Sequence, residues 1–208
     1  MSTKLPLKIL TIDPSGTGTT GICLVEKGLI DQFTFLDFKS KDWQEHLKFI
    51  VSLVQEHQPQ LIVFENTNYV YGRQHSGTAN LYKLIGALVG LEYAFDFIEQ
   101  IEGVLVNQVK GLRKKLVLSL AEVRGLTYAP GRSKGWKYEG QRINVHKLDA
   151  FLTYHLWARN NLPPLEQLET EIQSLKAKGK RMGRKQKERL RKLEKVRKLM
   201  KSYELLHY

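Results

Sequence analysis

The sequence contains a single cysteine, Cys23, and it has no unbroken run of 18 apolar residues. One cysteine cannot form an intramolecular disulfide, so a disulfide-stabilised secreted scaffold is excluded. Apolar runs this short do not span a bilayer as a helix, so we expect no membrane partner. The segment 1–8 also lacks the apolar core of a signal peptide. Together these absences favour a cytoplasmic protein.

Acidic residues are scarce in one part of the chain. Residues 176–201 contain 14 Lys and Arg but only two acids, Glu188 and Glu194, whereas the rest of the chain has 19 basic and 19 acidic residues. The formal net charge of +12 therefore lies entirely in this segment. A neutral body with a basic tail predicts a polyanionic partner that binds at a localised site of the body and is also bound electrostatically by the tail.

The apolar pattern predicts an α/β domain over residues 1–162 and a basic amphipathic tail over 163–208. In the tail, leucines at helical spacing indicate a helical hairpin or two short helices. Tight connections make the first three strands antiparallel neighbours, and strand–helix crossovers complete a mixed five-stranded sheet flanked by helices. The expected strands are 7–13, 20–26, 29–36, 61–65 and 103–106; the expected helices are 41–57, 78–98, 108–123 and 143–159; segment 124–142 is expected to be a loop.

The helix expected at 78–98 has more apolar residues than one stripe requires. One stripe packs on the sheet, and the surplus predicts a second subunit, with Gly86 and Gly90 spaced for close approach of another helix. A helix fully buried within a monomer would show the same pattern, so both interpretations remain open.

Two acids, Asp13 and Glu65, directly follow the apolar runs of two expected central strands. An acid at the end of such a run either caps the strand in solvent or binds a cation, because burial without a partner is costly. Ligands of α/β sheets gather where the strands end. Two such acids on adjacent strands favour the cation.

The helix expected at 143–159 carries His146 and Asp149 three residues apart, so both lie on one face. Together with Asp13 and Glu65 they form an oxygen-rich ligand set with one imidazole, which suits Mg²⁺ or Mn²⁺. Zinc is disfavoured, because the set has no thiolate. Two ions about 4 Å apart could activate a water and stabilise the leaving oxygen of a phosphodiester.

Four motifs in order resemble those of the RuvC-type Holliday-junction resolvases, which belong to the ribonuclease-H-like superfamily. ILTIDPSGTGTTGICLV is similar to the first hairpin of that family, and IVFEN to its fourth strand. NQVK at 107–110 resembles the stretch after strand five that carries a phosphate-contacting lysine, and NVHKLDAFLTYHL resembles the last catalytic helix. The resemblance covers about residues 7 to 160, and the added loop and tail fit a phage or mobile-element relative.

This resemblance implies the function and its residues. The chain would be a homodimeric crossover junction endodeoxyribonuclease that makes paired nicks in four-way junctions, with forks and D-loops as further branched substrates, in DNA recombination and repair. Asp13, Glu65, His146 and Asp149 would hold Mg²⁺ or Mn²⁺, and Lys110 would contact phosphate. The location would be the cytoplasm of a bacterium or of a phage-infected host.

Aromatic residues interleaved with basic ones indicate DNA contacts, because rings stack on bases and cations bind phosphates. Each group could equally be an ordinary surface segment. Lys114 lies with Arg113 and Lys115 on a helix face that is either solvated or in contact with DNA. The remaining candidates are Tyr69, Tyr71 and Arg73 after the strand-end glutamate, and Arg132, Lys134, Trp136 and Lys137 in the expected loop.

Three other functions compete with this one. A nuclease acting on RNA or on RNA–DNA hybrids would have the same fold and metal site. A non-catalytic basic DNA-binding protein would not need all of the acids. An ATPase of the sugar-kinase and actin type would use GTGTTG as a phosphate loop, but it requires a second lobe for which this chain is too short.

Overall fold

The structure is a computed structural model that describes residues 8–26, 31–67, 76–130, 135–161 and 172–177, with positions 183, 186–187, 190–191 and 194. The strands of the main sheet are β1 (Lys8–Asp13), β2 (Thr19–Glu26), β3 (Gln32–Lys39), β4 (Leu61–Asn66) and β5 (Gln100–Leu105). The helices are α1 (Trp43–His57), α2 (Ser76–Val89), α3 (Val106–Val117) and α4 (Val145–Asn161). A short 3-10 helix (Gly90–Tyr93) follows α2.

The five strands form one mixed sheet in the order β3-β2-β1-β4-β5. The pairs β1–β2 and β2–β3 are antiparallel, whereas β4 runs parallel to both β1 and β5. The predicted α/β fold of ribonuclease-H-like type, with three antiparallel strands followed by strand–helix crossovers, is therefore confirmed.

Helices cover both faces of this sheet, and the strand residues alternate between the two cores. Leu10, Ile12 and Phe64 belong to the core that also contains Ile50 of α1 and Leu84 of α2. Ile9, Cys23, Leu61 and Val63 belong to the opposite core, which contains Phe151 of α4 and Val109 of α3. By the same alternation, Asp13 and Glu65 lie on the face that α4 covers.

Several element boundaries differ from the sequence predictions. The helix expected at 78–98 ends at Val89, where Gly90 begins the 3-10 turn. The helix expected at 108–123 ends at Val117, and Ser119 then has a φ of 54°, which no α-helix accommodates. Strand β3 begins three residues later than expected. Apolar periodicity continues beyond these helix ends, so it did not reveal them.

The prediction of a loop at 124–142 is wrong. This segment contains a three-stranded antiparallel sheet, made of β6 (Leu126–Ala129), β7 (Gly135–Tyr138) and β8 (Gln141–Ile143). Glu139 and Gly140 connect β7 to β8 and both have positive φ, which is the geometry of a tight hairpin turn. This hairpin was not predicted, because Glu-Gly is a less common turn signal than Asn-Gly or Asp-Gly.

Tyr138 packs the small sheet onto the main domain. Its ring centroid lies 5.2 Å from those of Phe35 and Phe151 and 5.7 Å from that of Phe33. Phe33 and Phe35 are on β3 and Phe151 is on α4, so the small sheet contacts the core face that carries the acids.

Most of the basic tail lies outside the described residues. Residues 172–177 are helical, and Ile172 and Leu175 are buried. Lys176 forms an ion pair of 2.8 Å with Glu194. The predicted tail helices and the division at residue 162 stay predictions. Within the described part of the chain, no helix is both long and apolar enough to cross a membrane.

Candidate active site

The parallel pairing of β1 and β4 places Asp13 beside Glu65. Ile12 is in register with Phe64, and the next residue along each strand is the acid. Both acids therefore end neighbouring central strands on the same face of the sheet. Their proximity follows from the sheet register.

Helix α4 reaches this edge through a close contact with β2. A Cβ atom at Gly21 would lie 2.1 Å from the carbonyl oxygen of His146, so only glycine admits the first turn of α4. Asn144 accepts a hydrogen bond of 2.9 Å from the backbone N–H of Lys147 and so begins the helix. The Thr11 hydroxyl donates a hydrogen bond of 2.8 Å to the carbonyl of Ala150. These contacts bring His146 and Asp149 to the strand ends.

His146 pairs with Asp13. Its Nδ1 atom lies 2.7 Å from Oδ2 of Asp13. This hydrogen bond raises the pKa of His146, although partial burial acts against the charged ring. Burial raises the pKa of Asp13 and outweighs the attraction of His146, Arg113 and Lys110. The acid is thus held where its negative charge is incompletely compensated.

Asp149 pairs with Arg113 of α3, whose Nη1 atom lies 2.5 Å from Oδ2. Burial nevertheless raises the pKa of Asp149 to about 6, against the lowering effect of Arg113. The other carboxylate oxygen, Oδ1, is buried and has no hydrogen-bond partner among the described residues. One side of this carboxylate is therefore left for a further cation.

The environment of Glu65 also disfavours a charged carboxylate. Its pKa is raised to about 8, chiefly by burial and then by the charges of Asp13 and Asp149, while Lys110 and Arg113 lower it. Its Oε2 atom is buried and finds no hydrogen-bond partner in the described part of the structure. The charge of Asp13 raises the pKa of both Glu65 and Asp149, so the cluster has an electrostatic affinity for a cation.

The arrangement of these side chains and their donor atoms fit a divalent metal to different degrees. Within the described residues, no three His, Cys, Asp or Glu side chains already stand as a ligand set, because Asp13 faces His146 and Asp149 faces Arg113. The expected convergence of all four around one point is thus not present in this arrangement. The donor chemistry does fit, since buried carboxylate oxygens of Glu65 and Asp149 lack partners and hard cations prefer such oxygens.

The remaining predicted contacts lie around this cluster. Lys110 is exposed on α3, and its charge lowers the pKa of Asp13 and Glu65. Lys114 and Lys137 are exposed, on α3 and β7 respectively. Trp136 is only 8% exposed, so its ring is not a free stacking surface. The other candidates lie outside the described residues: Tyr69, Tyr71, Arg73, Arg132 and Lys134.

Arg113 is a site residue that was not predicted from the sequence. It was interpreted as part of a helix face that is either solvated or in contact with DNA, whereas in the structure it pairs with Asp149. Its spacing from Lys110, one helical turn, could have indicated that both cations point the same way. Its partner could not be known, because the two paired residues are 36 positions apart.

No family model matches the sequence, and neither does any curated protein. Solved structures do resemble it. Thermus thermophilus RuvC in complex with a Holliday junction is 19% identical, with 74% of this chain and 96% of that chain covered and a TM-score of 0.49. The yeast mitochondrial Holliday junction resolvase is 14% identical, with 73% and 77% covered and a TM-score of 0.46.

A cobalt-bound terminase nuclease of a thermophilic phage is 10% identical, with coverages of 73% and 81% and a TM-score of 0.29. Likenesses this distant establish neither activity nor partner, so the function has to be inferred from the side chains of this chain. Its own strand order and helix placement have the ribonuclease-H-like arrangement.

Proposed function

We propose that the chain is a divalent-metal-dependent endonuclease of branched DNA, a crossover junction endodeoxyribonuclease acting in recombination and repair. The observation that carries this proposal is the cluster of three acids at the strand ends, in which Glu65 and Asp149 keep buried oxygens without partners among the described residues. Protein interiors rarely leave such oxygens unsatisfied without a functional reason. A bound cation would satisfy them.

The residues that would hold Mg²⁺ or Mn²⁺ are Asp13, Glu65, His146 and Asp149. Bound divalent ions, two in each site, would supply an activated water and stabilise the charge of the leaving oxygen. His146 and Arg113 compensate part of the acids' charge before binding.

Lys110 and Arg113 are suited to bind the substrate backbone. They lie one turn apart on α3, and the charges of both act on Asp13 and Glu65. Cations in this position attract a phosphodiester toward acids that would otherwise repel it. We assign phosphate contact to Lys110 on this basis, in agreement with the motif resemblance.

A homodimer suits a substrate with four arms, because two sites related by a two-fold axis match a two-fold-symmetric junction. The outer face of α2 and the following 3-10 turn offers a surface for the second copy, made of Gly86, Val89, Gly90 and Tyr93. A Cβ atom at either glycine would meet nothing within 4 Å, and Tyr93 is 86% exposed. The partner helix could therefore approach the backbone closely.

Cleavage of a substrate panel tests this proposal. The panel contains a four-way junction, a fork, a D-loop, a linear duplex and an RNA–DNA hybrid, each with Mg²⁺ or Mn²⁺. Paired nicks in the junction support the proposal. Preferential cutting of the hybrid would favour the RNA-directed nuclease, which would use the same acids. Binding without cleavage of any substrate would favour a non-catalytic DNA-binding protein.

A further inference from the structure

A cavity of about 410 Å³ lies between α3 and the three-stranded sheet. The cavity is open to solvent on one side. Its lining comes from α3 between Lys110 and Val117, from β6 and β7, and from the first residue of α4. The cavity adjoins the acid cluster, because Arg113 lines it and also pairs with Asp149.

The cavity has one cationic wall. Lys110, Arg113 and Lys114 line it from α3, at spacings of three and four residues that put them on one helix face. Among the described residues that line the cavity, none is acidic. The charge of this wall is therefore complementary to a phosphate group.

The rest of the lining is apolar and aromatic. It consists of Val117, Tyr128, Trp136 and Val145, with Gly135 beside them. The rings of Tyr128 and Trp136 pack at a centroid distance of 4.8 Å, and Trp136 is 8% exposed, so this wall is held by the protein's own packing. Val117 and Val145 are 43% and 41% exposed. With Trp136 buried behind them, Tyr128, Val117 and Val145 are the accessible apolar groups of this wall, and they suit a nucleobase better than a phosphate backbone alone.

We propose that this cavity binds one unpaired nucleotide of the DNA substrate, with its phosphate on Lys110, Arg113 and Lys114 and its base against the apolar wall. The proposal rests on the proposed function, because it takes branched DNA as the substrate. Branch points and distorted junctions supply unpaired bases, and extrusion costs least where a base is already unpaired. Since Arg113 belongs to both places, the extruded nucleotide lies next to the phosphodiester at the acids.

The experiment separates base binding from phosphate binding. Two duplexes each carry one bulged position, which is a thymidine in the first and an abasic sugar in the second, so that their phosphate charges are identical. Affinities are measured by fluorescence anisotropy in EDTA, where no cleavage occurs. We expect the wild-type protein to bind the thymidine bulge about tenfold more tightly than the abasic bulge.

Paired variants show where the base binds. Val117→Glu places a negative charge in the cavity wall and should bring the affinity ratio close to one. Leu118→Glu adds the same charge at the next residue, which does not line the cavity and is 55% exposed, so it should keep the ratio. Val145→Glu tests the opposite wall with the same expectation as Val117→Glu. All three positions are exposed, so folding should be preserved, and circular dichroism checks it.

The proposal would be overturned if wild-type protein bound the thymidine and abasic bulges with nearly equal affinity, because only phosphate contact would then remain. It would also be overturned if the affinity ratio survived both cavity variants, which would place the base elsewhere. Loss of the ratio in Leu118→Glu as well would reflect general charge repulsion and would equally overturn it. An affinity ratio of about ten in a protein that cuts no substrate would support base binding in the cavity and reject the nuclease function. Junction cleavage with an affinity ratio of one would support the nuclease function and reject base binding in the cavity.

Discussion

At the residue scale, Glu65 is the side chain whose position in the fold most directly affects the proposed metal binding. It ends an apolar strand, it is buried, and Asp13 and Asp149 raise its pKa. When a carboxyl in such surroundings ionises, it destabilises the metal-free protein, because its negative charge is buried. A bound cation would compensate that charge and remove the destabilisation. The two predictions at this scale concern the charge of this side chain.

Glu65→Gln should abolish cleavage and leave junction binding intact. The amide keeps the shape of the side chain but removes the charge that would hold the metal. Cleavage rates and anisotropy measured on the same four-way junction test this expectation. Glu99→Gln is a matched control at an exposed position and should cut normally. Residual cleavage above about a tenth of the wild-type rate, a barrier change below ~1.4 kcal/mol, would remove Glu65 from the site.

The stability of the metal-free protein should depend on pH through the same group. The pKa of Glu65 is about 8 in the folded protein against an ordinary 4.5, so between these values the folded state holds a proton that the unfolded state releases. The free energy of unfolding therefore falls as pH rises from about 5 to about 8. Asp149, with a pKa of about 6, acts in the same direction at the lower end of this range.

Urea unfolding of wild-type and Glu65→Gln protein in EDTA, at pH 5 and at pH 8, measures this effect. The variant cannot ionise at position 65, so its stability relative to wild type should be greater at pH 8 than at pH 5. An advantage that is the same at both pH values would show that Glu65 does not titrate in this range.

At the element scale, the seating of α4 on β2 determines whether the site exists. Gly21→Ala should destabilise the protein by about 1–3 kcal/mol, because the added methyl group meets the His146 carbonyl within 2.1 Å. The displaced helix should also weaken Mn²⁺ binding measured by calorimetry. Gly111→Ala in α3 is the control, since a Cβ there meets nothing within 4 Å; it should stabilise by about 0.5–1 kcal/mol. Equal effects of the two changes would refute the close-contact argument.

The elements differ in how far their sequence predicted them. β1, β2 and β4 are buried runs bounded by turn residues, and each was predicted to within one residue of its observed ends. The small sheet was missed, because its strands are only three or four residues long and pack on distant residues, as Tyr138 does on Phe33, Phe35 and Phe151. Such packing joins distant segments and leaves no periodic signal in the sequence.

At the scale of the whole molecule, we expect a dimer formed through the exposed face of α2 and its 3-10 extension. Light scattering at micromolar concentration should show a species of twice 24.0 kDa. Tyr93→Glu should shift this species to the monomer, because it places a charge in the interface, whereas Leu120→Glu at another exposed apolar residue should not. Finding only the 24.0 kDa species, with and without DNA, would exclude the dimer.

The basic tail should strengthen binding to DNA of every shape without choosing the position of the cut. Removal of residues 178–208 keeps the buried Ile172 and Leu175 and takes away 13 basic residues. Phosphate contacts of this kind carry no sequence information. The slope of log affinity against log salt should flatten by about 0.9 for each lost phosphate contact. An unchanged slope would assign the tail to dimerisation or to another protein.

Local patterns in the sequence were enough to predict the alternation of the strands, the two strand-end acids, the His146–Asp149 pair on one helix face, and the concentration of charge in the tail. Each of these depends on residues that are close together in the chain. Only the tertiary structure decided that Arg113 pairs with Asp149, that His146 pairs with Asp13, and that α3 and the small sheet line one open cavity. These partners are 36 and 133 positions apart in the two pairs, and their meeting depends on how β1, β2 and β4 seat α4. Long-range packing brings such groups together, and the residues next to each of them in the sequence do not predict these contacts.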